Sequence, residues 1–144
     1  MTSYRLAVAG RYAERRAIKQ MLQEANLDTL PVEITASWLD CTENGDADLT
    51  DDQAVAQAYT NADEIMGAHA LLYVPRWYDA PSEKSDGIPR WSHGRLIDFG
   101  MAMGFMIPII VVGKPEYTIY QRGTLVTVCD WATLRETLRR VLKI

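Results

Sequence analysis

Segments with a strand pattern alternate with segments with a helix pattern along this chain, and that alternation restricts its possible folds more than any other feature. Strand patterns are expected at 4–9, 31–39, 70–74, 107–112 and 125–128, and helix patterns at 13–25, 50–67, 92–104 and 130–144. Strands that alternate with helices usually pair in parallel, and helices cover both faces of the sheet. The sequence therefore predicts a single α/β domain over residues 1–144, built on a five-stranded parallel sheet.

Three of these elements carry clear local signals. The second strand is expected to alternate along one face through Val32, Ile34, Ala36 and Trp38, with a period of two. The helix after it opens on Thr50, and Gln53 three residues later completes a capping-box pattern. The third strand, at 70–74, is apolar without interruption, which is typical of strands buried on both faces.

The segment 92–104 combines an apolar helical stripe with an acid outside that stripe. Leu96, Phe99, Gly100 and Met103 follow one another at helical spacing, so they are expected to face the sheet. Asp98 falls outside the stripe, close to the start of the helix, where the helix dipole and unpaired N–H groups favour a carboxylate. Asp98 is therefore either a well-placed helix acid or a reactive group.

In flavodoxin-like and Rossmann-like sheets, ligands bind outside the carboxyl ends of the strands, near the point where the strand order reverses. The residues expected at this edge are Gly10, Arg11 and Tyr12 after the first strand, Asp40 after the second, Pro75 and Arg76 after the third, and the turn at 92–98. This arrangement brings Asp98 to the place where such folds carry their chemistry.

The loop expected at 75–93 is long and has no convincing element of its own. It contains Trp77, Tyr78 and Trp91, and aromatic residues are rare in disordered linkers. Loops of this length in compact domains are usually functional or disordered. The loop is either a lid over the site or a surface loop that packs on its own tryptophans.

Composition excludes several classes of function. The net charge of −4 argues against a general nucleic-acid surface, although a local basic pocket for one phosphate is compatible with it. The longest apolar run, at 105–112, is too short for a membrane span. The aspartates at 46–52 lack the ligand order of a calcium loop. We expect a cytoplasmic protein with no cofactor, metal, nucleic-acid or membrane partner.

The central motif of the chain resembles that of a known enzyme superfamily. The strand ending in Y-V-P and the run G-R-L-I-D-F-G-M-A-M-G-F-M-I-P-I-I-V-V-G resemble the core of the nucleoside 2-deoxyribosyltransferase superfamily. This superfamily includes 2'-deoxynucleoside 5'-monophosphate N-glycosidases. The matching positions are Gly94, Asp98, Phe99, Gly100 and Ala102. The A-G-R-Y opening and the V-C-D-W before the last helix extend the resemblance to most of the chain.

The resemblance implies catalytic roles for a few residues. Asp98 occupies the position of the family nucleophile, which is a glutamate, so its carboxylate is shorter by about one C–C bond, roughly 1.5 Å. Asp63 matches the position of a second acid that assists the leaving base, and Asn61 aligns as plausibly. Tyr12 matches a residue that approaches the sugar, and its alternative role is that of a packed turn tyrosine.

The resemblance also implies a site for the 5'-phosphate. Ser92, the N–H groups of Gly94 and Arg95, and Arg11 after Gly10 are the candidates, because a helix N-terminus is a ready anion site. Arg76 and Arg95 are alternatively surface arginines. His93 is expected to be a loop residue, with an acid-base role as the alternative. His69 is expected to be structural.

These observations predict cleavage of the N-glycosidic bond of a nucleoside or nucleoside 5'-monophosphate, with transfer and hydrolysis both open. A homodimer or larger homo-oligomer is implied by the resemblance. The alternative function is a nucleotide-binding or sensing module that keeps the pocket and has lost turnover through the aspartate at 98. A third possibility is a flavodoxin-like module that binds another phosphate ligand.

Overall fold

The computed structural model describes residues 2–40, 50–75, 82–83, 89–90, 94–113 and 125–144. Its strands are β1 (Tyr4–Ala9), β2 (Val32–Ile34), β3 (Ala70–Tyr73), β4 (Ser82–Glu83), β5 (Pro89–Arg90), β6 (Ile109–Val112) and β7 (Val126–Cys129). Its helices are α1 (Arg15–Glu24), α2 (Asp51–Met66), α3 (Gly94–Gly104) and α4 (Leu134–Leu142). Short 3-10 turns lie at Tyr12–Glu14, Leu27–Thr29 and Ser37–Asp40.

Five strands form one sheet in the order β2-β1-β3-β6-β7, and every neighbouring pair is parallel. The fold class predicted from the alternation is therefore confirmed. The chain runs from β1 to β2 on one side and later returns to the other side of β1 as β3. The strand order consequently reverses between β1 and β3, which marks the expected position of a ligand crevice at the carboxyl edge.

Each face of the sheet has its own apolar core. On one face, Leu6, Val8 and Leu72 pack under α1 and α4. On the other face, Ala7, Leu71 and Tyr73 pack under α2 and α3. Successive strand residues point to opposite faces, so the uninterrupted apolar character of β3 and β6 supplies both cores. Helices on both faces follow from this pattern.

The second strand is shorter than predicted. The β-structure covers only Val32–Ile34, and residues 37–40 form a 3-10 turn. Trp38 and Leu39 are both buried in this turn, and the Trp38 indole N–H donates to the Val8 carbonyl at 2.9 Å. The turn thus leaves the buried indole N–H with a partner on β1, as buried polar groups require.

The buried face of α3 also differs from the predicted stripe. Phe99 is buried as expected, but its buried companions are Arg95 and Ala102, whereas Gly100 and Met103 are exposed. The ring of Phe99 meets the ring of Tyr73 edge to face, with 5.1 Å between centroids. The buried face of α3 is therefore turned by about one residue relative to the apolar pattern.

Two local predictions have different outcomes. Thr50 and Gln53 form the full capping box at the start of α2, since each side chain bonds the backbone N–H of the other residue. The loop at 75–93, predicted without an element, contains the antiparallel pair β4–β5. Strands of two residues are too short to show a period, so the sequence pattern did not reveal them.

Candidate functional site

Asp98 lies just after the first turn of α3, on the helix that follows β3. Its side chain is partly buried. Burial, and to a smaller degree the negative charge of Glu64, raise the pKa of Asp98 from 3.8 to about 6. Desolvation disfavours the charged form of a carboxyl group, and a neighbouring carboxylate adds to the effect. Asp98 is thus a carboxyl group that titrates close to neutral pH at the carboxyl edge of the sheet.

The second carboxylate near Asp98 belongs to Glu64 on α2. Glu64 is partly buried, and its Oε1 accepts a hydrogen bond of 3.1 Å from the backbone N–H of Ser37. The predicted second acid, Asp63, is exposed. The alternative residue, Asn61, is partly buried and its Oδ1 accepts from the Gln57 amide at 2.8 Å. Of the two neighbouring acids, Glu64 is the one that acts on Asp98.

The periodicity of α2 contains the signal for this distinction. Ile65 is buried in the core beneath α2 and α3. Residues 61, 64 and 65 follow i, i+3, i+4 spacing and therefore share one side of a helix, whereas residue 63 is turned away from them. The position of Ile65 in the helical repeat therefore favours Glu64 over Asp63 as the second acid.

Gly10 follows β1 directly and lies in a tightly packed environment. A Cβ atom at this position would lie 2.7 Å from Cδ1 of Ile18 and 3.3 Å from the Trp38 ring. Both neighbours are buried, so neither can move away freely. Gly10 is therefore needed for close packing at the top of β1, where the chain turns toward the candidate site.

The charged side chains in the turn after Gly10 have little exposure to solvent. The backbone carbonyl of Arg11 accepts the Glu14 N–H at 2.9 Å, and the Arg11 and Glu14 side chains form an ion pair at 4.0 Å. Arg15 is only 5% exposed. It donates to the Tyr12 carbonyl at 3.1 Å and lies over the Tyr12 ring at 4.3 Å.

The Tyr12 ring packs against the core under α1 and α4. Asp98 belongs to the helix on the opposite face of the sheet. Tyr12 can pack in the turn and also belong to the site, because the two faces of the sheet meet at its carboxyl edge. The Tyr12 contacts with the α1 core and with Arg15 give it a firm structural role in either case.

Arg95 occupies the first turn of α3 and is 3% exposed. It is thus not one of the surface arginines that the sequence left open. Gly94 begins the helix, so the N–H groups of Gly94 and Arg95 belong to the unpaired first turn. A buried guanidinium beside a helix N-terminus is a chemically suitable environment for an anion.

Three predicted site residues, Ser92, His93 and Arg76, lie outside the described residues, as do the aromatic residues of the expected lid. His69 lies at the amino end of β3, far along the strand from the carboxyl edge. Its Nδ1 accepts the Arg5 N–H at 2.9 Å, and its ring meets Tyr4 edge to face. These contacts agree with the structural role predicted for His69.

The described residues around Asp98 combine a carboxyl group with a raised pKa, the negative charge of Glu64 and, three residues earlier on the same helix, a buried arginine. A carboxylate of this kind can serve as a nucleophile when ionised and as an acid when protonated. In the described ranges, no cluster of three or more histidine, cysteine or acidic side chains is arranged to hold a metal ion. No helix within those ranges has the length and apolar character of a membrane span.

Comparisons with known proteins identify the fold. No protein-family model matches the sequence, and no curated protein matches it. The structure is similar to that of a CMP N-glycosidase from Clostridium botulinum, with a TM-score of 0.53 and 19% identity over 97% of this chain and 99% of that one. It is also similar to a conserved protein from Enterococcus faecalis, with a TM-score of 0.50 and 14% identity over 85% and 69%. The chain therefore shares its fold with these two proteins.

Proposed function

We propose that this protein cleaves the N-glycosidic bond of a nucleoside or nucleoside 5'-monophosphate, with Asp98 as the nucleophile. The observation that carries the proposal is the raised pKa of Asp98, to about 6, on the helix that follows the strand-order reversal. Strongly shifted carboxyl groups in this position are characteristic of functional sites. The similarity to a CMP N-glycosidase and the motif around Asp98 give independent support.

In the proposed reaction, one carboxylate oxygen of Asp98 attacks the anomeric carbon of the sugar. The glycosidic C–N bond breaks, and the base leaves with the bonding electron pair and takes up a proton. The glycosyl ester on Asp98 is then attacked by water, which completes hydrolysis, or by a second base, which completes transfer. Hydrolysis and transfer differ only in the group that accepts the sugar.

Glu64 is proposed as the second acid in place of Asp63. It is partly buried and acts electrostatically on Asp98, whereas Asp63 faces solvent. In this role the Glu64 carboxyl group would orient or protonate the leaving base. The hydrogen bond from the Ser37 N–H to Glu64 would hold it in position.

Arg95 and Arg11, with the first-turn N–H groups of α3, are proposed to bind a 5'-phosphate. Ser92, His93 and Arg76 retain their proposed places in the same site. Arg95 lies in the first turn of α3, where a guanidinium beside the unpaired N–H groups can form charge-assisted hydrogen bonds to a phosphate. The substrate class proposed is therefore a nucleoside 5'-monophosphate, and the acting unit is a homo-oligomer.

Base release tests this function. The purified protein is incubated with matched pairs of nucleosides and their 5'-monophosphates, and free base is measured by chromatography. Asp98→Ala should abolish release. Glu64→Gln should lower kcat, whereas the matched variant Asp63→Asn on the same helix should not. Release that persists in Asp98→Ala, or that depends on Asp63 rather than Glu64, would refute these assignments.

A second function is favoured by the length of the Asp98 side chain. A carboxylate withdrawn by about 1 Å from its best position can lose about a hundredfold in rate. A chain that binds nucleotide saturably, releases no base and gains no activity in Asp98→Glu is a binding or sensing module. Activity gained in Asp98→Glu would instead identify an enzyme with a shortened nucleophile.

A further inference from the structure

A pocket of about 380 Å³ lies between α1 and the edge strand β2. All of its lining residues come from one continuous stretch of chain, residues 19–40, and we refer to it as the α1–β2 pocket. Four of these residues belong to the core under α1 and α4, whereas Asp98 belongs to α3 on the opposite face of the sheet. The volume lies within the range of small-molecule sites, about 300–1,000 Å³.

The walls of the pocket are apolar and firmly packed. Leu22 of α1, Leu27, Ala36 and Leu39 are all buried, and Ile34 of β2 is 38% exposed at the rim. Side chains that are fixed in a core cannot collapse freely into a neighbouring space. The cavity is therefore a formed apolar surface that a ligand can cover without rearranging the fold.

Four polar side chains complete the lining, and all four are exposed. They are Lys19, Gln23, Asp28 and Asp40. The Lys19 ammonium donates to the Asp40 carboxylate, which ties α1 to the 3-10 turn after β2. Lys19, Leu22 and Gln23 follow i, i+3, i+4 spacing, so they lie on one side of α1 and line the pocket together.

The 3-10 turn Leu27–Thr29 holds Asp28 at the pocket beyond the end of α1. The turn is fixed at both ends, since the Leu30 N–H donates to the Leu27 carbonyl at 2.9 Å and the Thr29 hydroxyl donates to the Asn26 carbonyl at 2.8 Å. Within the described ranges, the Asp28 carboxylate forms no ion pair. Asp28 is thus a positioned acid whose charge is met only by solvent.

The charges of the lining indicate the kind of ligand. One ammonium faces two carboxylates, and the ammonium of Lys19 is already paired with Asp40. A single negative charge, that of Asp28, is left without compensation. The lining therefore complements a positively charged group on an otherwise apolar molecule, and it disfavours an anion such as a nucleotide phosphate.

We propose that the α1–β2 pocket binds a small organic cation with an apolar body and a protonated amine. The apolar body covers the leucine side chains, and the ammonium group pairs with Asp28. None of the lining residues takes part in the proposed cleavage reaction, and the inference does not rest on that function. It gives a role to Asp40, which the sequence placed at the carboxyl edge and which the reaction does not use.

Three indole compounds that differ in one group test the charge preference. Tryptamine carries an ammonium, tryptophol a hydroxyl and indole-3-propionate a carboxylate. Binding to the isotope-labelled full chain is followed by NMR of the backbone amides at low salt. Tryptamine should shift the signals of Leu22, Leu27 and Leu39 saturably, with a Kd on the order of 1 mM for about a dozen non-hydrogen atoms. Phe99 on α3 should not respond. Tryptophol should bind up to about fivefold more weakly, and indole-3-propionate more weakly still.

Two variants change the charge of the lining in opposite directions. Asp28→Asn should weaken tryptamine binding by up to about fivefold, whereas Asp63→Asn, the same change at an exposed position outside the pocket, should not. Lys19→Gln should strengthen it by a similar factor, because the Asp40 carboxylate loses its partner. A gain of binding cannot result from poor folding, and circular dichroism checks both variants.

Several results would overturn the proposal. They are the absence of saturable shifts at about ten times the expected Kd, equal affinity for the three compounds, and tryptamine binding that neither Asp28→Asn nor Lys19→Gln alters. Shifts of the same amides that follow protein concentration without any compound would assign the pocket to a second copy of the chain instead. Base release enters none of these measurements, so this proposal and the proposed function fail separately.

Discussion

Replacement of Asp98 by asparagine is expected to stabilise the folded chain at neutral pH while abolishing base release. The pKa of Asp98 is raised from 3.8 to about 6, and each pKa unit corresponds to about 1.4 kcal/mol. The ionised carboxylate therefore destabilises the fold by about 3 kcal/mol relative to its protonated form. Because the side chain keeps some contact with solvent, we expect about 2 kcal/mol of this in practice.

The sign of the pH dependence follows from proton binding. Between pH 3.8 and about 6, the folded chain holds a proton on Asp98 that the unfolded chain has released. The free energy of unfolding of the wild type therefore falls as pH rises through this window. Asparagine does not titrate, so the stability difference between the Asp98→Asn variant and the wild type should be near zero at low pH. The difference should grow through the window and stay constant above it.

Urea unfolding followed by circular dichroism measures this difference at a fixed protein concentration. We expect the Asp98→Asn variant to be more stable by about 2 kcal/mol at about pH 8, and nearly equal to the wild type at about pH 4. Asp63→Asn, at an exposed position, serves as the control and should change stability by less than about 0.5 kcal/mol. A variant of Asp98 that is no more stable at high pH, or a difference that does not vary with pH, would refute the reasoning.

Three further predictions concern rate and packing. If ionised Asp98 is the nucleophile, kcat/KM for base release should rise with pH through a midpoint near 6. Glu64→Gln should move this midpoint to a lower pH. A value of kcat/KM that falls through the midpoint would instead indicate that Asp98 acts as an acid. Gly10→Ala should lower the free energy of unfolding by about 1–3 kcal/mol, measured by urea unfolding, because its Cβ would meet buried Ile18. Thr50→Ala should cost about 1 kcal/mol in the same assay, and no loss would mean that the capping box does not stabilise α2.

Much of the fold could be predicted because local patterns and the sheet agree. The apolar runs of β3 and β6 and the capping box at Thr50 identify their elements without tertiary information. The alternation of strands and helices then restricts the sheet to parallel pairing. The prediction failed after β2, where the burial of Trp38 and its hydrogen bond to Val8 depend on a strand about thirty residues away. No local pattern contains such a contact.

The position of the candidate site could also be predicted, since parallel strands bring the residues that follow them to one edge. On this basis the sequence predicts Asp98 as the central group of the candidate site, and that assignment stays a prediction. The sequence could not rank Asp63 against its neighbours, because a change of one residue rotates a side chain by 100° around the helix. Only the packing of Ile65 against the sheet decides that Glu64 is the acid near Asp98.

The sequence by itself determined the α/β class and the helix that carries Asp98, because both depend on periodicity and chain order. The tertiary structure decided the pKa of Asp98, the burial of Arg95 and the rotation of α3 about Phe99. Those properties depend on solvent exclusion and on charges brought together from distant parts of the chain. They exist only once α2, α3 and the sheet have packed.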